Sequence, residues 1–278
     1  MDKVLNCAGK SLDLTRPQVM GVLNVTPDSF SDGGRYVTPE AALAQAERMV
    51  AEGAAIIDVG GESTRPGAAP VSEEEELRRV IPVIAAIADE LPVVISVDTR
   101  KPAVMQAAVA AGAGMINDVC ALGEEGAIEL VARLDVPVCL MHMQGEPRTM
   151  QAAPHYDDAV REVVDFLRQR VGACERAGIV RRRLLIDPGF GFGKGLEHNL
   201  QLLNHLQEFN ALALPMVVGV SRKSLIGAVL DVGVAERLYA SIALAAIAVW
   251  QGAAIIRAHD VAATVQAIKM VAAVRSAR

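Results

Sequence analysis

Polar side chains recur in this chain just after short apolar runs: Asn24, Glu62, Asp98, Asn117 with Asp118, His142, Asp187, the cluster Ser221-Arg222-Lys223-Ser224, and Arg257 with His259. Carboxylates and amides accept hydrogen bonds, while guanidinium and ammonium groups hold anions. Any one of these residues alone would read as a helix cap or a turn. Their shared placement reads as one polar site with a natural place for an anion.

A local repeat shows what must position them. Gly53-Ala-Ala-Ile-Ile-Asp58, Gly112-Ala-Gly-Met-Ile-Asn117 and Gly252-Ala-Ala-Ile-Ile-Arg257 each follow a helix-like stretch. The glycine reads as a helix C′ residue and the apolar run as a buried parallel strand. The sixth residue then falls at the strand's carboxyl end, where α/β barrels place their chemistry.

Eight apolar runs fit this scheme: 19–23, 56–59, 93–97, 115–116, 138–141, 184–186, 216–220 and 255–256. Helical stretches separate them, so the pattern predicts βα units closing into an eight-stranded (β/α)8 barrel of the TIM type. Thr38-Pro39, the capping box Ser72-Glu-Glu-Glu75, Lys101-Pro102 and Tyr156-Asp157 mark helix starts. Ahead of the first barrel strand, residues 4–5 and 12–14 around Gly9-Lys10 predict a hairpin that plugs the barrel's lower end. No low-complexity linker divides the chain, so it reads as one domain over 1–278, with the hairpin in 1–16 and the barrel in 17–278. Two connections, 24–37 and 62–71, are long and polar. Both follow strands, so they lie over the expected active face.

Bulk properties narrow the class. The chain has 278 residues, 52% of them hydrophobic, and a net charge of -6 that gives no footprint for nucleic acid. Arg181-Arg182-Arg183, the one basic cluster, reads as a solvated turn. Four cysteines without a Cys-x-x-Cys pair suit a reduced, cytoplasmic protein, and no signal peptide opens the chain. Residues 238–256 carry no charge, but Ser241, Gln251 and Gly252 interrupt them, so a buried helix and strand explain the stretch better than a membrane span.

Longer motifs carry a resemblance. Asn24-Val-Thr-Pro-Asp-Ser-Phe-Ser-Asp-Gly-Gly34, Asp58-Val-Gly-Gly-Glu-Ser-Thr-Arg-Pro-Gly67, Ser96-Val-Asp-Thr99, Met141-His-Met-Gln-Gly145, Asp187-Pro-Gly-Phe-Gly-Phe-Gly-Lys194 and Ser221-Arg-Lys-Ser224 occur in this order. Together they resemble the dihydropteroate synthase family, from about Leu12 to His259. The resemblance implies a transferase of folate biosynthesis, a target of sulfonamides, that joins 6-hydroxymethyl-7,8-dihydropterin pyrophosphate to p-aminobenzoate and releases pyrophosphate. By the same resemblance, Asp98, Asn117, Asp187 and Lys223 bind the pterin, with Met141, Phe192, Gly219 and Arg257 as walls. Thr64, Pro66, Phe30, Arg222 and Ser224 bind p-aminobenzoate. Asn24, Arg65, Arg257 and His259 hold pyrophosphate, and Asn24 is also the ligand of Mg²⁺. Asp98, Lys223, Arg257 and His259 are the expected catalytic group; His142, His155, His198 and His205 receive no role.

The expected chemistry is C–O cleavage before attack, with Asp98 stabilising a pterin cation. Two rivals differ in class: a methyltransferase handing a methyl group from methyltetrahydrofolate to a corrinoid, and a relative that binds pterin without transfer. Neither uses the anion site at 221–224 together with intact long loops. Partners are expected to be these small molecules, without nucleic acid or membrane, and the resemblance implies a homodimer.

Overall fold

The computed structural model describes residues 4–26, 38–63, 67–146 and 148–277. Strands β1 (Val4–Cys7) and β2 (Lys10–Asp13) pair antiparallel in the expected hairpin. The turn is centred on Ala8-Gly9, one residue earlier than the sequence suggested. Both residues have positive φ, 52° and 87°, as a tight two-residue hairpin turn requires.

Eight parallel strands follow: β3 (Gln18–Asn24), β4 (Ile56–Gly60), β5 (Val94–Asp98), β6 (Met115–Asp118), β7 (Val138–Met141), β8 (Leu184–Asp187), β9 (Val217–Val218) and β10 (Ile255–Ala258). Hydrogen bonding runs β8-β7-β6-β5-β4-β3-β10-β9, and a parallel bridge between Ile186 and Met216 joins the two ends into a barrel. The sequence suggested a longer seventh strand, 216–220. Only Val217 and Val218 of those residues form regular ladder pairs, with Met216 in a single bridge, and Gly219 beyond them lines the pocket.

Helices α1 (Pro39–Ala51), α2 (Glu73–Glu90), α3 (Pro102–Ala110), α4 (Ala127–Leu134), α5 (Ala159–Arg176), α6 (Leu196–Asn204), α7 (Ser224–Leu230), α8 (Leu238–Trp250) and α9 (Val261–Ser276) lie outside. Strand alternation sorts the apolar residues into two cores. Outward-facing Ile57, Val59, Ile95, Val97, Ile116, Leu140, Ile186 and Ile256 pack against the helices. Inward-facing Met20, Ile56, Val94, Met115, Cys139, Leu185, Val217 and Ile255 fill the barrel's lower interior, sealed by Leu5, Cys7, Leu12 and Leu14 of the hairpin. Continuing upward two residues at a time, the inward positions become polar: Ile56 leads to Asp58, Ser96 to Asp98, Met115 to Asn117, Leu185 to Asp187 and Ile255 to Arg257.

The three repeats end their helices identically. Gly53, Gly112 and Gly252 have φ of 102°, 112° and 113°. Their N–H groups donate to Val50, Val109 and Val249, and the next residue's N–H donates to Met49, Ala108 and Ala248. This is the paired Schellman closure, which glycine enters at little steric cost. Thr38 caps α1 and Ser72 caps α2 as expected, accepting from Ala41 and Glu75. Only half of the Ser72 box forms, because the Glu75 carboxylate turns to Arg78 and Arg79 instead of reaching back. The helix expected at Tyr156-Asp157 starts two residues later, because Asp158 accepts from the Arg161 N–H while Glu162 reaches back to the Asp157 and Asp158 N–H groups. The triple-arginine cluster is not simply a solvated turn: Arg183 is buried and donates to the Val131 and Val136 carbonyls. Among the described residues no helix is long and apolar enough to cross a membrane, and residues 238–256 divide into α8, the Gly252 turn and β10.

Candidate functional site

The polar upper layer opens into a pocket of about 330 Å³ at the carboxyl ends of the barrel strands. Asp98, Asn117, Asp187 and Lys223 line it together with Met141, Phe192, Gly219 and Arg257. These eight are the residues expected to meet the pterin, drawn from β5, β6, β7, β8, β10 and the segments after β8 and β9. Val119, Gly189 and Phe190 complete the lining. Gly189 and Phe190 belong to the quoted motif after Asp187 without having been given a role, and Val119 directly follows the strand-end Asp118.

Strand register places the polar groups side by side. Asn24 pairs with Gly60, Gly60 with Asp98, and Asp98 with Asn117. A Cβ on Gly60 would lie 3.6 Å from Asp98 Oδ2 and 3.8 Å from Asn24 Oδ1, so glycine leaves a cradle open between two oxygen donors. Arg257 Nη2 donates to Asp98 Oδ2 at 2.8 Å, and Arg257 Nε donates to Asp58 Oδ2 at 2.6 Å. Asn117 Nδ2 reaches the same Asp58 oxygen at 3.2 Å. Thus the sixth residues of all three repeats meet in one hydrogen-bonded group. Asp58 stands in the first repeat, yet its type alone did not separate it from an ordinary helix-capping carboxylate.

Burial sets the charge states. The Asp98 carboxyl is pushed up to about 7, mainly by burial, with Arg257 opposing and Asp58, Glu76 and Asp118 adding to the rise. Burial likewise raises Asp187, against the Gly189 N–H and the Lys223 and Arg257 charges. Lys223 is lowered to about 8 by burial and then by the neighbouring Arg257 charge. Burial works against the Arg257 cation too, but Asp58 and Asp98 outweigh it, and its pKa rises. The Lys223 ammonium lies 4.3 Å from the Phe192 ring centroid, a cation–π contact.

The glycine-rich segment after Asp187 is held from below. Gly189 N–H donates to Asp187 Oδ1 at 2.7 Å, which orients the carboxylate. Lys194 is buried and its ammonium contacts the Gly189 carbonyl at 2.9 Å, the Phe192 carbonyl at 3.0 Å and His142 Nδ1 at 2.8 Å. Burial lowers Lys194 to about 7 and His142 to about 3. Neither residue lines the pocket; His142, left without a role by its sequence context, belongs to this clamp. Lys194 closes a motif quoted for its glycines, and nothing in its spacing marks it as their anchor.

The remaining expected residues sit around the rim. Arg222 has positive φ, 56°, and its guanidinium forks onto Asp260, at 2.9 and 2.5 Å, rather than standing free. Ser224 is the first residue of α7. His259 Nδ1 is 3.0 Å from Ser221 Oγ, and burial lowers its ring to about 4, so it is neutral near pH 7. Asp118 faces out of the barrel and accepts from the Cys120 and Leu122 N–H groups. Phe30, Thr64, Arg65 and Pro66 lie outside the described residues.

Comparison with known proteins agrees with this geometry. A family model described as pterin binding enzyme matches residues 20–259. The chain is 57% identical over 270 residues to dihydropteroate synthase of Escherichia coli (strain K12), covering 97% of this chain and 96% of that one. It superposes on Xanthomonas albilineans dihydropteroate synthase with 4-aminobenzoic acid, with a TM-score of 0.95 and 54% identity over 100% of both chains. The same enzyme in complex with 7,8-dihydropteroate gives a TM-score of 0.91 and 52% identity, over 99% of this chain and 100% of that one.

Proposed function

The chain belongs to the dihydropteroate synthase family of pterin-binding enzymes, and from that premise we propose that it transfers the pterinylmethyl group of 6-hydroxymethyl-7,8-dihydropterin pyrophosphate to the amine of p-aminobenzoate. The products are 7,8-dihydropteroate and pyrophosphate. The observation that carries this reading is the gathering of Asp98, Asn117, Asp187 and Lys223 in one pocket. A pterin edge offers amino and ring N–H donors beside ring-nitrogen and carbonyl acceptors. Asp187 accepts from the donors, Asn117 meets the same edge, and Lys223 donates to the acceptors. Leaving such buried groups unpaired penalises other ligands by several orders of magnitude.

Met141 and Phe192 enclose the flat ring, Gly219 leaves room over it, and planar Arg257 stacks on it. Pyrophosphate is held by Asn24, Arg65, Arg257 and His259. Asn24, at the carboxyl end of β3 beside Gly60, is the protein ligand we assign to a hard divalent cation, which its amide oxygen suits. Asn24 would hold Mg²⁺, which when bound would supply charge neutralisation for the leaving pyrophosphate. The p-aminobenzoate carboxylate meets Ser224 and Arg222, the latter once its fork on Asp260 opens, and Thr64, Pro66 and Phe30 flank the ring.

In the reaction the C–O bond to pyrophosphate breaks first, and the electron-rich reduced ring delocalises the cation that remains. Asp98, in its ionised form and nearly dry, stabilises that cation electrostatically. The aryl amine then attacks the exocyclic carbon and loses its proton. Lys223 and Arg257 hold the ring and the departing anion, so that the cation and amine meet without water.

Helices α8 and α9 carry exposed Tyr239, Ile247, Trp250, Met270 and Val274, which support a homodimer built on this face. Four free cysteines support a reducing, cytoplasmic setting. The deciding experiment is pyrophosphate release by the purified protein with both substrates, against controls lacking either one. Release that requires both supports the transfer. Release independent of p-aminobenzoate would mean hydrolysis, and no release with tight pterin binding would leave a binding protein.

A further inference from the structure

We propose that Asp58 is a positioning residue, which orients the Asn117 amide and the Arg257 guanidinium toward the pterin without touching it; this rests on the pterin reading above. Asp58 is completely buried, faces into the barrel two residues below Gly60, and takes no part in lining the pocket. Yet two lining residues, from β6 and β10, converge on its Oδ2.

The chemistry of that oxygen fixes both partners. A carboxylate oxygen only accepts, so the Asn117 atom turned toward it must be the NH₂ group. The amide therefore has one orientation, with Oδ1 as the end left to accept from the ligand's N–H groups. Arg257 is held at two points, Nε on Asp58 and Nη2 on Asp98. Two carboxylates on different strands define the plane of the guanidinium; with Asp98 alone it pivots about one bond. Among the described residues, Asp58 Oδ1 has no hydrogen-bond partner. An isosteric amide at 58 therefore keeps its oxygen on both donors and turns its NH₂ to the side where Oδ1 is unpaired. That separates the loss of charge from the loss of the contacts.

The test measures binding of 6-hydroxymethylpterin, which carries no pyrophosphate, by fluorescence titration. Asp58→Ala should raise its Kd ten-fold or more. The effect should shrink in an Asn117→Ala background, because part of it acts through that amide and only the part carried by Arg257 remains, and such coupling is read by a double-mutant cycle. Asp58→Asn, which preserves packing, should raise Kd three- to ten-fold with the same non-additivity, since a neutral acceptor holds a guanidinium less firmly. It decides the matter if Asp58→Ala does not fold by near-ultraviolet circular dichroism. Parent-like affinity in the folded Asp58 variants, or losses that multiply with Asn117→Ala, would overturn the proposal alone. A parent protein that binds no pterin would overturn the functional reading and this one with it.

Discussion

At the scale of single residues, burial decides what the pocket does. Asp58, Asp98 and Asp187 face two cations, Lys223 and Arg257, so the group carries one surplus negative charge when all are ionised. A floor of that sign attracts a cationic ring and repels an anionic one. Replacing Asp98 by Asn keeps its shape and removes the charge nearest the reaction. Turnover should fall by about 10²–10³, the size of effect expected for one preorganised electrostatic contact, while the melting temperature holds. Near-normal pyrophosphate release by Asp98→Asn would remove the carboxylate from the chemistry. The same group sets a pH dependence. Its pKa is raised to about 7, so it is protonated and uncharged below that pH and ionised above it. Activity that needs the anion therefore rises with pH through about 7, falling roughly ten-fold per unit on the acid side. This limb should be absent from the residual activity of Asp98→Asn.

At the scale of elements, glycine does two different jobs that one substitution separates. Gly178 closes α5 with φ of 92°, and a Cβ there meets nothing within 4 Å. Gly178→Ala should cost only the left-handed backbone strain, about 1–2 kcal/mol in a urea titration. Gly189 has φ of 70°, but its Cβ would fall 1.9 Å from the His142 carbonyl oxygen. Gly189→Ala must push the loop off the His142 segment and tear Lys194 from its carbonyl acceptors. Pterin affinity should drop more than ten-fold, with a stability loss well beyond that of Gly178→Ala. Equal effects from the two would mean that the loop is not packed as described. This contrast also marks what the sequence makes legible. Helix ends such as Gly53, Gly112 and Gly252 are local events, written in adjacent residues, and so are the apolar runs that become strands. The contacts of Asp58 with Arg257 span 199 positions, and the clamp of Lys194 on His142 spans 52. No local pattern encodes them. The resemblance nominated the eight residues that line the pocket, whereas the groups that hold those residues emerged only from the folded arrangement.

At the scale of the whole molecule, the barrel divides its labour along its axis. Its upper layer is a cluster of buried charges, which costs stability. Its lower layer is an apolar core closed by the β1–β2 hairpin, which compensates. A two-stranded hairpin is marginal by itself, so its order comes from docking. Leu5 and Leu12 insert among Met20, Ile56, Met115 and Ile255, and Lys10 Nζ donates to the Val93 carbonyl at 2.9 Å. Truncating Leu12, which is only 3% exposed, empties space in a closed interior that relaxes little. Leu12→Ala should therefore cost about 2–5 kcal/mol by denaturant titration. The pocket lies at the other end, beyond the layer of Asp58 and Ser96. Binding of 6-hydroxymethylpterin to the folded Leu12→Ala protein should accordingly stay within two-fold of the parent. If affinity fell ten-fold while the protein remained folded, the two ends would be mechanically coupled, and the plug would belong to the site rather than to the scaffold.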